Sequence, residues 1–245
     1  MTDDLDNLTQ ELNDFVQEKG IDIFGIGDVD YLNQMARPGR RLEDLFPGGQ
    51  AVLIFGCGID HSLARAWVKS GRGKYLTLTM TALENRKWLI KDFLARKGYR
   101  TFGGEFHGGG IWETGIRLGE AGASAGLGYI GKNNMLITPK YGPRVNLAYL
   151  VTDAPLQTTV VTPKNECGTC AICEKYCTSK AILGDGYFHG RACESVINCM
   201  ANKIHLTSQV TMDCDMCQRM CPQGEIKYSK IERQGTWWDK LEQYQ

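Results

Sequence analysis

Any fold this chain adopts must first accommodate its cysteines, because nine of the ten fall between Cys167 and Cys221. The first run, Cys167-Gly-Thr-Cys170-Ala-Ile-Cys173-Glu-Lys-Tyr-Cys177, reads C-x2-C-x2-C-x3-C. The second, Cys214-Asp-Met-Cys217-Gln-Arg-Met-Cys221-Pro222, reads C-x2-C-x3-C-P, and Cys193 and Cys199 lie between the two. Thiolates repeated at such short intervals can surround a compact inorganic core. The first spacing is that of a bacterial [4Fe–4S] site, whose fourth cysteine serves the other cluster where two are present. Applied as a count, this rule assigns Cys167, Cys170, Cys173 and the crossing Cys221 to one cluster. Cys177, Cys214 and Cys217 then hold a second, which needs one more thiolate from Cys193 or Cys199. Cys193 is preferred, although spacing alone leaves both open.

Zinc sites usually pair two separated C-x2-C units, which three cysteines in register do not resemble. Disulfides need an oxidising compartment. The acidic opening Met-Thr-Asp-Asp-Leu-Asp lacks the basic and apolar regions of a signal peptide, and no apolar run is long enough for a membrane span. A cytoplasmic protein with no membrane partner is therefore expected. Lys and Arg balance Asp and Glu at 28 each, so there is no net field to attract nucleic acid, and a nucleic-acid partner is not expected.

The 245 residues suffice for one large domain and one small one. Leu5, Leu8, Leu12, Phe15 and Val16 recur at helical spacing ahead of Gly20. Residues 21–26 read as a strand and Arg41 to Phe46 as a short helical piece. Ala51 to Ile59 is apolar on both faces, as in a covered central strand. Helices are predicted after Asp60, from Thr81 to Lys97 and from Ile111 to Ala123. Met135 to Thr138 and Arg144 to Val151 read as a hairpin about Pro139 and Pro143. This alternation predicts an α/β layer with a mixed sheet over residues 1–155. A linker over 153–166 leads into a domain at 156–245 so poor in apolar side chains that clusters must serve as its core.

Gly126-Leu-Gly128-Tyr-Ile-Gly131 matches G-x-G-x-x-G, but a dinucleotide fingerprint needs a strand before the glycines and a helix after them. Here a small-residue helix precedes and a hairpin follows. What survives is a backbone bare enough from Ala121 to Gly131 for something flat to approach, and the plain alternative is helix-to-sheet packing. His61 and His107 are weak ligand candidates. Cys57, in an apolar strand, reads as an inert thiol. Glu105, Glu113 and Glu120 are the carboxylates that could deliver a proton in this region.

With these residues laid out, the chain resembles the corrinoid-dependent iron–sulfur reductases, namely epoxyqueuosine reductase and the reductive dehalogenases. Ala125-Gly-Leu-Gly-Tyr-Ile-Gly-Lys-Asn133 is similar to the glycine-rich signature of the first. Leu136-Ile-Thr-Pro-Lys-Tyr-Gly-Pro-Arg-Val145 and Thr152-Asp-Ala-Pro-Leu156 are similar to the second, and both share the cysteine region. The resemblance implies a nitroreductase-like domain holding base-off cobalamin with no histidine on cobalt, followed by a small ferredoxin-like domain with two [4Fe–4S] clusters. It implies that Cys193 completes the second cluster. Ala125, Gly126, Gly128, Gly131, Asn133, Thr138, Pro139, Gly142, Pro143 and Arg144 would then be cofactor-binding. Glu113 falls nearest the place of the family's catalytic aspartate, with Tyr129 and Lys132 as polar neighbours. A ferredoxin or flavodoxin would supply electrons. The substrate would be a small molecule. The alternatives are a partner corrinoid protein to be activated, and a trimmed enzyme acting on epoxyqueuosine in tRNA. The tRNA-modifying members carry an added helical-repeat region after the clusters, which this sequence does not show. A flavin suits the same fold.

Overall fold

The computed structural model describes residues 2–58, 67–69, 75–103, 110–111, 116–162, 164–184, 189 and 216–225. The elements in order are α1 (Thr2–Glu18), β1 (Ile23–Asp28), α2 (Val29–Asn33), α3 (Leu42–Leu45), β2 (Ala51–Gly58), β3 (Trp67–Lys69), β4 (Tyr75–Thr77) and α4 (Leu78–Arg96). There follow β5 (Thr101–Phe102), β6 (Gly110–Ile111), β7 (Ile116–Arg117), α5 (Leu118–Ser124), β8 (Tyr129–Ile130), β9 (Leu136–Ile137), β10 (Val145–Thr152), α6 (Ile172–Lys175) and α7 (Met216–Arg219).

The central sheet has the order β1-β2-β10-β5. β2 is buried at every position from Ala51 to Cys57, and its alternation sorts two cores. Leu53, Phe55 and Cys57 face Leu12 and Val16 of α1 and Leu83, Ile90 and Leu94 of α4. Val52 and Ile54 face Leu32, Leu42, Phe46, Leu118 and Ala121. Helices thus cover both faces, as the apolar run of β2 requires.

The α/β class holds, but the sheet is not mixed in its ladders. Among the described strands every ladder is antiparallel: β1 with β2, β10 with β2, and β10 with β5. A single bridge, Gly27 to Thr159 at the outer edge of β1, is parallel. Parallel neighbours need a long crossover, usually a helix. Between β1 and β2 the chain has only the short α2 and α3, so it turns back on itself.

Two further expectations change. Residues 111–123 do not form one helix: β6 and β7 pair, and only Leu118–Ser124 is helical. Ile111 and Ile116 suit strands, and the glycines around them weaken a helix. Nor do residues 135–151 form a hairpin. Leu136–Ile137 pairs backward with Tyr129–Ile130, while Val145–Thr152 takes the free edge of β2, where its apolar length is buried. The turn between them closes through a Thr138–Gly142 bridge. The helix expected after Asp60 lies outside the described residues. The stretch read as a linker straps the sheet: Ala154 and Leu156 are buried. The Gln157 N–H donates to Thr9 Oγ1, Thr159 N–H to the Ile26 carbonyl and Val161 N–H to the Ser124 carbonyl.

Candidate metal centre

Cys167, Cys170, Cys173 and Cys221 line one cavity, whose other walls are Lys132, Asn133, Ile137, Pro222 and Gln223. The first run wraps by tight local bonds. Asn165 Oδ1 accepts from the Cys167 N–H at 2.8 Å, and the Cys170 N–H donates to the Cys167 carbonyl at 3.0 Å. Cys173 then rides on α6, and α7 brings the chain up to Cys221. Among the described residues no three His, Cys, Asp or Glu side chains form a group that could hold a single metal ion. The four thiols share one cavity.

Burial pushes the Cys173 thiol up to about 11, with Cys167 and Cys221 adding to it. Burial also raises Cys221, against the Gln223 N–H and the Arg144 charge. Cys177 goes the other way. Burial would raise it, but Ser179 and the N–H groups of Ile182, Ala181 and Ser179 outweigh that and favour the thiolate. The Ala181 N–H donates to its sulfur at 3.2 Å. Cys177 and Cys173 pack with Ala181 and Ile182, and Cys217 lies against them. Cys193, Cys199 and Cys214 lie outside the described residues.

The loops that carry these cysteines are held by side chains from the sheet domain. Lys132 Nζ donates to the Cys170 carbonyl at 2.9 Å and stands 3.7 Å from Glu174. Asn133 Nδ2 donates to the Cys217 carbonyl at 3.3 Å. Arg144, 2% exposed, donates to the carbonyls of Gln218, Cys221 and Gln223 at 3.3, 3.0 and 2.7 Å. The backbones also meet closely. A Cβ at Gly142 would stand 2.2 Å from the Gln223 carbonyl oxygen, and the Glu225 N–H donates to the Pro139 carbonyl.

No family model matches the chain. Epoxyqueuosine reductase of Aliivibrio fischeri is 35% identical over 218 residues, covering 80% of this chain and 55% of that protein. The enzyme of the same name from Lactococcus garvieae is 31% identical over 132 residues, 51% of this chain and 37% of that protein. A solved epoxyqueuosine reductase bearing an epoxyqueuosine-modified tRNA stem loop superposes with a TM-score of 0.68 at 21% identity, over 93% of this chain and 68% of that one. A catabolic reductive dehalogenase in complex with 3-bromo-4-hydroxybenzoic acid superposes at 0.54 and 18% identity, over 87% and 31%. The chain is similar in sequence to epoxyqueuosine reductases, and in fold to them and to a reductive dehalogenase. It spans about half the length of these curated relatives, or less, and the solved structures establish the shared fold.

The glycine-rich segment packs against its neighbouring strand. A Cβ at Gly128, whose φ is 151°, would stand 2.0 Å from the Ile137 carbonyl oxygen, and one at Gly131 would stand 2.8 Å from the Ile137 side chain. These glycines let β8 lie against β9. Gly126 is exposed, with the Thr159 and Val161 side chains at ordinary contact distance from where a Cβ would stand. Ala125 is buried against the sheet. Thr138 closes its own turn, its hydroxyl donating to the Gly142 carbonyl and accepting from the Tyr141 N–H. Pro143 is buried beside it.

Glu113, Glu105, His61 and His107 lie outside the described residues. Tyr129 is buried, and its hydroxyl has no hydrogen-bond partner. Burial and the neighbouring Cys167, Cys221 and Glu166 raise its pKa. Cys57 is buried and its thiol is raised by that burial. The sequence reading did not find the anchoring work of Lys132, Asn133 and Arg144 on the cysteine loops. Their signal was polar side chains inside a stretch otherwise stripped to glycine and small residues. Glu174 and Asn165, between or beside the cysteines, were missed for want of any pattern.

Proposed function

We propose that this chain is an oxidoreductase of the epoxyqueuosine reductase type. It would carry electrons singly through two [4Fe–4S] clusters, with a cobalamin as the reducing centre when bound. Residues 1–155 would form the catalytic domain and 156–245 the cluster domain. The observation that carries the reading is the cavity shared by Cys167, Cys170, Cys173 and Cys221, three thiols in a row joined by one from the distant second run. This is the crossing pattern of two-cluster sites. Cys177, Cys193, Cys214 and Cys217 would hold the other cluster. The favoured substrate class is epoxyqueuosine in tRNA, since the relatives above carry that name. The even charge balance that argued against nucleic acid describes the whole chain and does not bear on a local docking surface.

Lys132, Asn133 and Arg144 would fix the cluster loops against the sheet domain, keeping the donor at a constant distance from the acceptor. Cobalamin is supported by the relatives alone, among them a reductive dehalogenase whose structure suggests a mechanism for B12-dependent dehalogenation. Glu113 is our assignment for the proton donor. Likeness to a dehalogenase that binds a brominated phenol supports a second reading, reduction of a small halogenated or otherwise activated molecule.

Protein reconstituted with iron and sulfide, supplied with cobalamin and a low-potential flavodoxin or ferredoxin, should convert epoxyqueuosine in a tRNA stem loop to its reduced nucleoside, as read by mass spectrometry. E113Q should lose that turnover while keeping its clusters. Iron and cobalt analysis with spectral titration comes first. A protein that binds no cobalamin overturns the corrinoid reading. One that binds it, ignores the stem loop and reduces a halogenated phenol establishes the second.

A further inference from the structure

We infer that Tyr129 is a hydrogen-bond donor to the first cluster's Cys167 sulfur and raises that cluster's reduction potential. The inference rests on the iron–sulfur reading. Three observations carry it. First, the hydroxyl is buried inside a residue 8% exposed and has no partner, although burying an unpaired hydroxyl is costly. Secondly, its ladder partner Ile137 lines the cavity that holds Cys167 and Cys221, and those two sulfurs are among the groups that act on the hydroxyl. Thirdly, its place is rigid. Tyr129 pairs with Ile137 in the β8–β9 ladder, and Ile137 itself lines that cavity.

A neutral phenol beside a neutral thiol gains little, and a phenol beside a thiolate bonded to iron gains a charge-assisted bond. That bond strengthens as the cluster takes an electron and its sulfurs become more negative. Reduction is thereby favoured and the potential rises. The same geometry disfavours Tyr129 as the substrate's proton donor, because its oxygen faces the thiols. Tyr129 is thus a tuning residue, acting on the cluster and not on the substrate. Only the cluster holding Cys167 feels it. Cys177, in the other cluster, has its own donor in the Ala181 N–H at 3.2 Å, so a change at Tyr129 moves the first potential alone.

The test is Tyr129→Phe in the reconstituted holoprotein, which removes one oxygen and leaves the ring. Redox titration followed by electron paramagnetic resonance should show one of the two cluster potentials moving to more negative values and the other unchanged, with iron content intact. Resonance Raman spectra should show iron–thiolate stretching bands that shift on exchange into D2O in the parent protein, with part of that shift lost in Y129F. Unchanged potentials, or both moving together, overturn the inference. A parent protein that takes up no iron–sulfur cluster overturns it together with the reading beneath it, and iron analysis of the parent tells the two failures apart.

Discussion

Arg144 shows how much one side chain can do at the seam between sheet and cysteines. It is buried, and three carbonyls of the second cysteine run accept its protons. Hydrogen bonds to a charged group contribute about 1.5–3 kcal/mol each. Arg144→Met should therefore lower the stability of the iron-loaded protein by roughly 3 kcal/mol or more, and speed loss of iron to a chelator. Urea unfolding and the rate of bleaching near 400 nm, roughly where thiolate-bound clusters absorb, check it. Asp22 is the clearest titrating group outside the cysteines. Burial would raise its carboxyl, but Lys140 at 2.8 Å and the Tyr141 hydroxyl donate to it and hold it below the ordinary aspartate value. A group depressed in the fold stabilises above its unfolded pKa, and that contribution disappears as pH falls through the folded one. Asp22→Asn should flatten the acid limb of stability against pH below about pH 4, and leave neutral pH behaviour near that of a simple lost hydrogen bond. Thermal melting across pH reads this out. Neither role was legible in sequence, because neither Arg144 with Gln223 nor Asp22 with Tyr141 are chain neighbours.

At the scale of elements, the strong periodic segments and the short helix at 42–45 were read correctly, and residues 111–123 and 135–151 were not. α1 and β2 declare themselves by apolar spacing over 17 and 8 residues. The hairpin at 129–137 is two residues per strand, too short to leave a period. Its glycines invited a cofactor reading, and two of them, Gly128 and Gly131, lie against Ile137. Gly128→Ala would combine a left-handed backbone with a clash on a carbonyl, costing roughly 3 kcal/mol. Gly20→Ala, with φ at 66° and open space around it, should cost only about 1 kcal/mol. The contrast in melting temperature separates close packing from backbone freedom. A Gly128→Ala protein as stable as Gly20→Ala would return the loop to ligand binding.

For the molecule as a whole, the two regions differ in what holds them together. The sheet is buried between α1 and α4 on one face and α2, α3 and α5 on the other. Around the cysteines the buried apolar set among the described residues is Cys173, Cys177, Ala181 and Ile182. Removing iron from the loaded protein should strip hydrogen-exchange protection from residues 164–184 and 216–225 while Ala51–Gly58 keeps it. Loss over the whole chain at once would show one cooperative unit instead. The metal chemistry was legible in the sequence because cysteine ligands within a run are separated by two or three residues, so their geometry is local. The covered central strand was legible for the same reason. Which basic residues grip the cysteine loops, which glycines yield to a neighbouring strand, and which strand takes the free edge of β2 were decided only by tertiary structure. Each depends on residues tens of positions apart, and their meeting follows from burying the sheet on both faces and from nothing in the local pattern.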